Sequence, residues 1–364
     1  MVENKKGNKT QGVLVSAKNA LLLPIISIAL AMILAVFIVM VVKEEGFITS
    51  SQQLFSAIWK GSFGSKTKIY TTIVNTTPLI FTGLANAVAF KTGLFNIGVE
   101  GQFIVGILAA TMVGLIPGIP ALIHILLVLI AGVGLGALWA GIPGFLKAKS
   151  GTNEVVNTIM MNFIALAVSD YFVLGPLNKP GSATTNKIVE SARLWRFMGD
   201  KYRINISIFI AIICAILVYY FFWKTVQGYE IRAVGLNSYA AEYGGINVKK
   251  NIILAMVISG MLAGLGGATH LAGVQHQGYQ LASFTNYGFN GITVALLAKS
   301  HPIGVLFSAL LLGALNSCAL TLQMVGIPKE IVSLIQAVII IFVAADYLFK
   351  WLREKRKKGA MKNE

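Results

Sequence analysis

Apolar stretches of about 20 residues recur along the whole chain, and that recurrence limits the fold more than any other feature. Each approaches the length a helix needs to cross a hydrocarbon core roughly 30 Å thick. In lipid, only helices and closed barrels satisfy every backbone polar group internally. Apolar runs fall near 21–42, 70–90, 94–116, 119–146, 157–176, 204–223, 251–272, 288–299, 303–325 and 329–349. The reading is an all-α, polytopic integral membrane protein of about ten transmembrane helices. The eighth run is too short to cross alone, so it is either half of a broken helix or continues into the polar stretch before it.

Composition agrees: 12% of the 364 residues are charged, where ordinary soluble domains carry about 25%, and mean hydropathy is +0.74. The run from Leu21 to Val42 exceeds a signal-peptide core, and Lys43, Glu44 and Glu45 follow it without a small-residue cleavage site, so it is expected to be retained as the first helix. The net charge of +16 is not that of a nucleic-acid binder, because the basic residues lie between apolar runs and in the termini. With a cytoplasmic N-terminus, Lys5, Lys6, Lys9, Lys91, Lys147, Lys224, Lys249 and the tail from Lys350 to Lys362 all fall inside. This predicts both termini in the cytoplasm of a cell-membrane protein. The loop from 177 to 203, with six basic residues outside, dissents and carries no readable motif.

The expected organisation is one transmembrane domain over 1–364. It has a basic cytoplasmic N-terminus over 1–20, a cytoplasmic loop over 224–250 and a basic tail over 350–364. The helix groups 70–176 and 251–349 then enter the membrane in opposite senses, which would make them an inverted repeat. Phe95-Asn96-Ile97-Gly98 and Phe289-Asn290-Gly291-Ile292 echo each other at comparable places. Glycines within the spans, such as Gly132, Gly136, Gly260 and Gly264, read as close helix packing.

Polar residues inside apolar runs are the candidate site. Asn96, Glu100 and Gln102 open the third run, and Asn96 and Glu100 would share one helix face if the segment is helical. A carboxylate there must face protein or water. It is either a polar element beside a translocation path or part of a hydrogen-bond network that fixes a helix break. Asn290, Thr293, Asn75 and Asn316 add amides and a hydroxyl in other runs. Such neutral groups suit a sugar or nucleoside better than an ion.

His124, His270, His276 and His301 show no metal-binding spacing, and neither a metal nor a cofactor is expected. His270 and His276 read as interfacial. Cys214 and Cys318 sit in apolar runs and imply no disulfide. GSFGSKT at 61–67 has Ser65 where a phosphate loop needs glycine, so energy would come from a partner or a gradient. In an ion-driven alternative, Glu100, Asp170 and Asp346 would be the coupling acids. An intramembrane enzyme is the other alternative, and no catalytic constellation supports it.

In GYEIRAVGLNSYAAEYGGI at 228–246, Asn237 can cap a short helix and Gly244 or Gly245 can end it. Ala240 and Ala241 would make a small-residue face that seats in another protein, flanked by Glu230 and Arg232. This segment and ISGMLAGLGGA at 258–268 resemble permeases of the branched-chain amino acid and simple sugar class of ABC importers. GLFNIGVEGQ at 93–102, GTNEVVNTIMMNFIA at 151–165 and GFNGITVALLAKSHPIG at 288–304 resemble that class's nucleoside-type branch. One departure is Ala298, where the resemblance leads one to expect glycine.

The resemblance implies a permease subunit moving nucleosides, purine nucleosides such as guanosine foremost, with a ribose-like sugar as the alternative cargo. It also implies a second related permease forming a heterodimer, an ATPase that hydrolyses ATP, and an extracellular lipid-anchored binding protein. In this reading Glu230, Arg232, Gly235, Asn237, Ala240, Ala241 and Gly245 couple the chain to the ATPase.

Overall fold

A computed structural model describes residues 25–199 and 201–343. The termini expected over 1–20 and 350–364, and Asp346, lie outside the described residues. The chain forms two compact units, residues 59–318 and residues 1–58 with 319–364.

In the smaller unit, α1 (Ile25–Lys43) is long and apolar enough to cross a membrane. After a short turn, α2 (Phe47–Ser62) follows, a helix the apolar runs do not reveal because polar residues interrupt it. Lys43 ties the turn together: its Nζ donates to Gln53 Oε1 at 2.7 Å and to the Val325 carbonyl at 2.9 Å.

The larger unit contains α3 (Lys66–Lys91), α4 (Val99–Gly114), α5 (Ala121–Ser150), α6 (Glu154–Leu174) and α7 (Ser207–Lys224). Then come α8 (Val226–Leu236), α9 (Ser238–Tyr243), α10 (Val248–His270) and α11 (Tyr287–Leu297), followed by α12 (Pro302–Met324), which runs on into the other unit. There α13 (Glu330–Val343) follows. Among the described residues seven helices are long and apolar enough to span, and α4, α11 and α13 are shorter apolar helices. Among the described residues there are only isolated bridges and no sheet. GSFGSKT proves to be the turn between α2 and α3, where the Ser65 hydroxyl accepts the Lys68 N–H as an N-cap.

Glycine contacts set the helix packing. Gly132 and Gly136 on α5 lie so close to Gly260 and Gly264 on α10 that a β-carbon on any of the four would collide with the facing helix. Backbones approach this closely only where small residues repeat every fourth position. Helix α4 also packs on α10, with Gly106 against Gly264, while α11 packs on α3, with Gly291 against Thr82. Gly313 of α12 meets Thr76 of α3. The segments 66–150 and 248–318 thus exchange packing partners, the pattern an internal two-fold repeat produces. The sequence echo is not in register with it: Phe95–Gly98 precedes α4, whereas Phe289–Ile292 lies inside α11.

The eighth run is half of a broken helix. At about 16 Å for 11 residues, α11 cannot cross alone. Helix α10 ends in a π turn over Leu271–Gln275, His276 takes a left-handed conformation, and 277–286 is irregular. Irregular backbone beside a span needs hydrogen-bond partners, and the loop 177–203 supplies them. The Thr185 N–H donates to Gly278 O at 3.0 Å, Ile188 N–H to His276 O at 2.8 Å, and Leu194 N–H to Ala272 O at 2.9 Å. Ile188, Ala192 and Leu194 are buried, so this loop is an integral part of the fold.

Candidate functional site: a bridged helix break, a polar cleft and a paired-helix segment

The segment between α3 and α4 is held open by amides. Asn96 lies in the turn before α4 and not on its face, so Asn96 and Glu100 do not act together as one helical stripe. The Asn96 side chain donates to Ser259 Oγ at 2.9 Å and exchanges bonds with Gln102 at 3.2 and 3.3 Å. Ser259 in turn donates to the Ala85 carbonyl. From α6, Asn162 accepts the Gly101 N–H at 2.8 Å and donates to Ile97 O at 3.0 Å. The sequence reading passed over Asn162, although it sits in one of the resemblance blocks.

Glu100 faces the other way. Fully buried, its carboxylate accepts the Thr285 hydroxyl at 2.6 Å, the Asn286 N–H at 2.8 Å and the Gly288 N–H at 2.6 Å. These donors belong to the start of α11, where unsatisfied N–H groups and the helix dipole favour negative charge. Asn86 of α3 donates to the Gly288 carbonyl at 3.3 Å. Glu100 therefore bridges two discontinuous segments, one before each short helix.

A cleft of about 510 Å³ opens between the first turns of α3, the end of α10 and residues 201–203. Tyr70, Tyr202, Tyr279 and Tyr287 line it with Asn75 and Gln275. Tyr70 and Tyr202 meet edge to face at 4.9 Å. Lys201 and Arg203 add two cations, and no carboxylate is among the described lining residues. His270 reaches the cleft while only 8% exposed; its ring lies 5.1 Å from that of Tyr287, and its Nδ1 has no hydrogen-bond partner. His270 is thus a buried lining residue and not an interfacial one. Of the residues expected along a path, Asn75 lines the cleft. Asn290, Thr293 and Asn316 sit on α11 and α12 and are not brought to it.

At the opposite end of α3 and α10, the 224–250 loop folds as two helices where one was expected. Glu230, Arg232 and Gly235 lie on α8, and Asn237 caps α9 by accepting the Ala240 N–H. Gly235 is pressed against the carbonyl of Lys91 at the end of α3. Glu230 accepts from Asn251 at 2.9 Å, and Arg232 lies over the Trp223 ring at 5.6 Å. Gly245 closes α9 with φ near +83°, where a side chain is strained. Ala241 is only 6% exposed and packs inward, so Ala240 and Ala241 do not form one free face. The outward face is Leu236, Tyr239 and Tyr243, at 89%, 83% and 98% exposure.

A bundle of broken helices with amide-stitched gaps and a peripheral helix pair clamped to two spans is the architecture of a membrane permease. Residues 68–344 match the family described as branched-chain amino acid transport system / permease component, and the chain belongs to that family. It is a multi-pass membrane transport component.

The guanosine ABC transporter permease protein NupP of Bacillus subtilis is 42% identical, over 93% of this chain and 98% of the relative. The nucleoside ABC transporter permease protein NupB of Lactococcus lactis is 37% identical, over 96% and 95%. The glucose ABC transporter permease protein TsgB13 of Haloferax volcanii is 31% identical, over 77% of each. No solved structure matches the chain.

Proposed function

We propose that this chain is the transmembrane permease of an ABC importer that carries nucleosides, purine nucleosides foremost, into the cell. The observation that carries the reading is the similarity to a guanosine permease and a nucleoside permease over more than nine tenths of the chain. The sugar permease is less similar and aligns over less of the chain.

In this reading a partner ATPase supplies the energy, a related permease completes a heterodimer, and an extracellular binding lipoprotein delivers the solute. The bias of basic residues supports both termini and α8–α9 in the cytoplasm, with the cleft and the loop 177–203 outside, although that loop's six basic residues run against the rule. ATP favours one arrangement of the ATPase pair, and the α8–α9 segment passes that bias to α3 and α10 through Gly235 and Glu230. The path elements are the two bridged breaks: Asn96 before α4 with Gln102 in its first turn, and Glu100 of α4 with Asn290 and Thr293 of α11, with Asn75 and Asn316 on neighbouring helices.

Vesicles holding this chain with its partner permease, ATPase and binding protein test the energy source. Uptake should require ATP and persist when an uncoupler collapses the proton gradient. Uptake that collapses with the uncoupler and survives loss of the ATPase would move the chain to ion-coupled transport.

A further inference from the structure

Beyond delivery by a soluble receptor, we propose that the tyrosine-lined cleft is a nucleoside-binding site contained in this single chain, with the His270 ring as its buried polar contact. The ligand class rests on the nucleoside reading above; the existence of the site rests on its geometry. The volume, about 510 Å³, is within the range of small-molecule sites. Tyr70, Tyr202, Tyr279 and Tyr287 offer aromatic faces to a planar base, and such stacking tolerates different bases.

The polar groups suit the same solute. Guanine presents the N7 and O6 acceptors that arginine and lysine recognise, and adenine presents N7; Lys201 and Arg203 line the opening. Asn75 and Gln275 can donate or accept, matching the mixed edge of a base or the hydroxyls of a ribose. His270 supplies the independent sign of a ligand. A buried polar nitrogen without a partner is costly; the His270 ring lines this cavity and its Nδ1 is unpartnered and closed to solvent, so the ring must turn to offer it to a ligand. The described lining contains no acid to hold a cation.

The test uses the assembled importer in lipid nanodiscs, with Cys214→Ala and Cys318→Ala as background. Asn75→Cys and Tyr279→Cys report on the cleft, and Trp195→Cys on an exposed residue that does not line it. Each is labelled with a membrane-impermeant maleimide in the presence of guanosine, adenosine or ribose. The expected result is that nucleosides slow labelling at 75 and 279 by about tenfold, leave 195 unchanged, and must be raised about tenfold to protect in a His270→Ala background. His270→Gln, which keeps a hydrogen-bonding side chain, should retain part of the protection.

Unchanged labelling at 75 and 279, at nucleoside concentrations that saturate uptake by the cysteine-free importer, would overturn the site and leave the transport reading standing. Equal slowing at 195 would also overturn it, as a global effect. Protection and uptake competition by ribose alone would overturn the ligand class together with the nucleoside reading.

Discussion

The carboxylate of Glu100 accepts the backbone N–H of Gly288 at 2.6 Å, across 188 residues of sequence. This bond and its two companions fasten the break before α11 to the start of α4. A neutral amide at position 100 offers one acceptor oxygen where two serve three donors. Glu100→Gln should therefore cost about 1–3 kcal/mol, the penalty for stranding a buried donor. Thr285→Val removes one donor and should cost about 1 kcal/mol. Thermal unfolding of the purified protein ranks the two, and a Glu100→Gln protein as stable as the parent would show that the bridge does not hold α11.

Docking through α9 should depend on its outward face. Tyr239→Ala with Tyr243→Ala removes two exposed rings, and such aromatic anchors typically contribute more than 1 kcal/mol each at an interface. The pair should lower co-purification of the ATPase by tenfold or more while the permease stays folded. Ala240→Arg should do the same. Ala241→Arg should instead destabilise the permease, because its side chain would point into the fold.

Close packing of α5 on α10 gives a sharper steric prediction. Gly264→Leu drives a side chain into the Gly132 backbone and should cost at least about 2 kcal/mol, with little folded protein recovered. Gly134→Leu, on the same stretch of α5 but facing open space, should be nearly neutral. Recovery of folded protein on a size-exclusion column distinguishes them.

His276 should make stability depend on pH. Burial first, and then the charges of Arg196 and Arg193, lower its pKa to about 4, and the Arg196 guanidinium donates to its Nε2. The folded state keeps the ring neutral, while an unfolded chain protonates it near 6.5. The folded state therefore loses stability as pH falls from about 6.5 toward 4 and is indifferent above that window. Because the ring is partly exposed, solvent screening limits the effect to about 1 kcal/mol. His276→Asn, which tolerates the left-handed backbone, should flatten the pH dependence of the unfolding temperature between pH 7 and 5.

The fold was legible in the sequence wherever a helix meets lipid, since apolar length alone marks such a span. It was illegible where polar residues break the apolar run or where backbone bonds carry the packing. The polar residues of α2 hide it from hydropathy, and the 177–203 loop reads as featureless because its role is carried by backbone bonds to 272–278. The site was half legible. A lone Glu100 in an apolar run announces a buried partner, but its donors are backbone N–H groups with no sequence signature. The tyrosines of the cleft come from four separate segments, so no local pattern joins them. The inward turn of Ala241 follows from how α9 packs on α8 and α10, which residue type does not encode.

The most direct measurement is ATP-dependent uptake of labelled guanosine and adenosine into vesicles holding this chain with its partner permease, ATPase and binding protein, competed with ribose and free bases. The account predicts uptake that unlabelled nucleosides block and ribose leaves untouched. Competition by ribose and not by nucleosides would contradict it and reassign the permease to sugar transport.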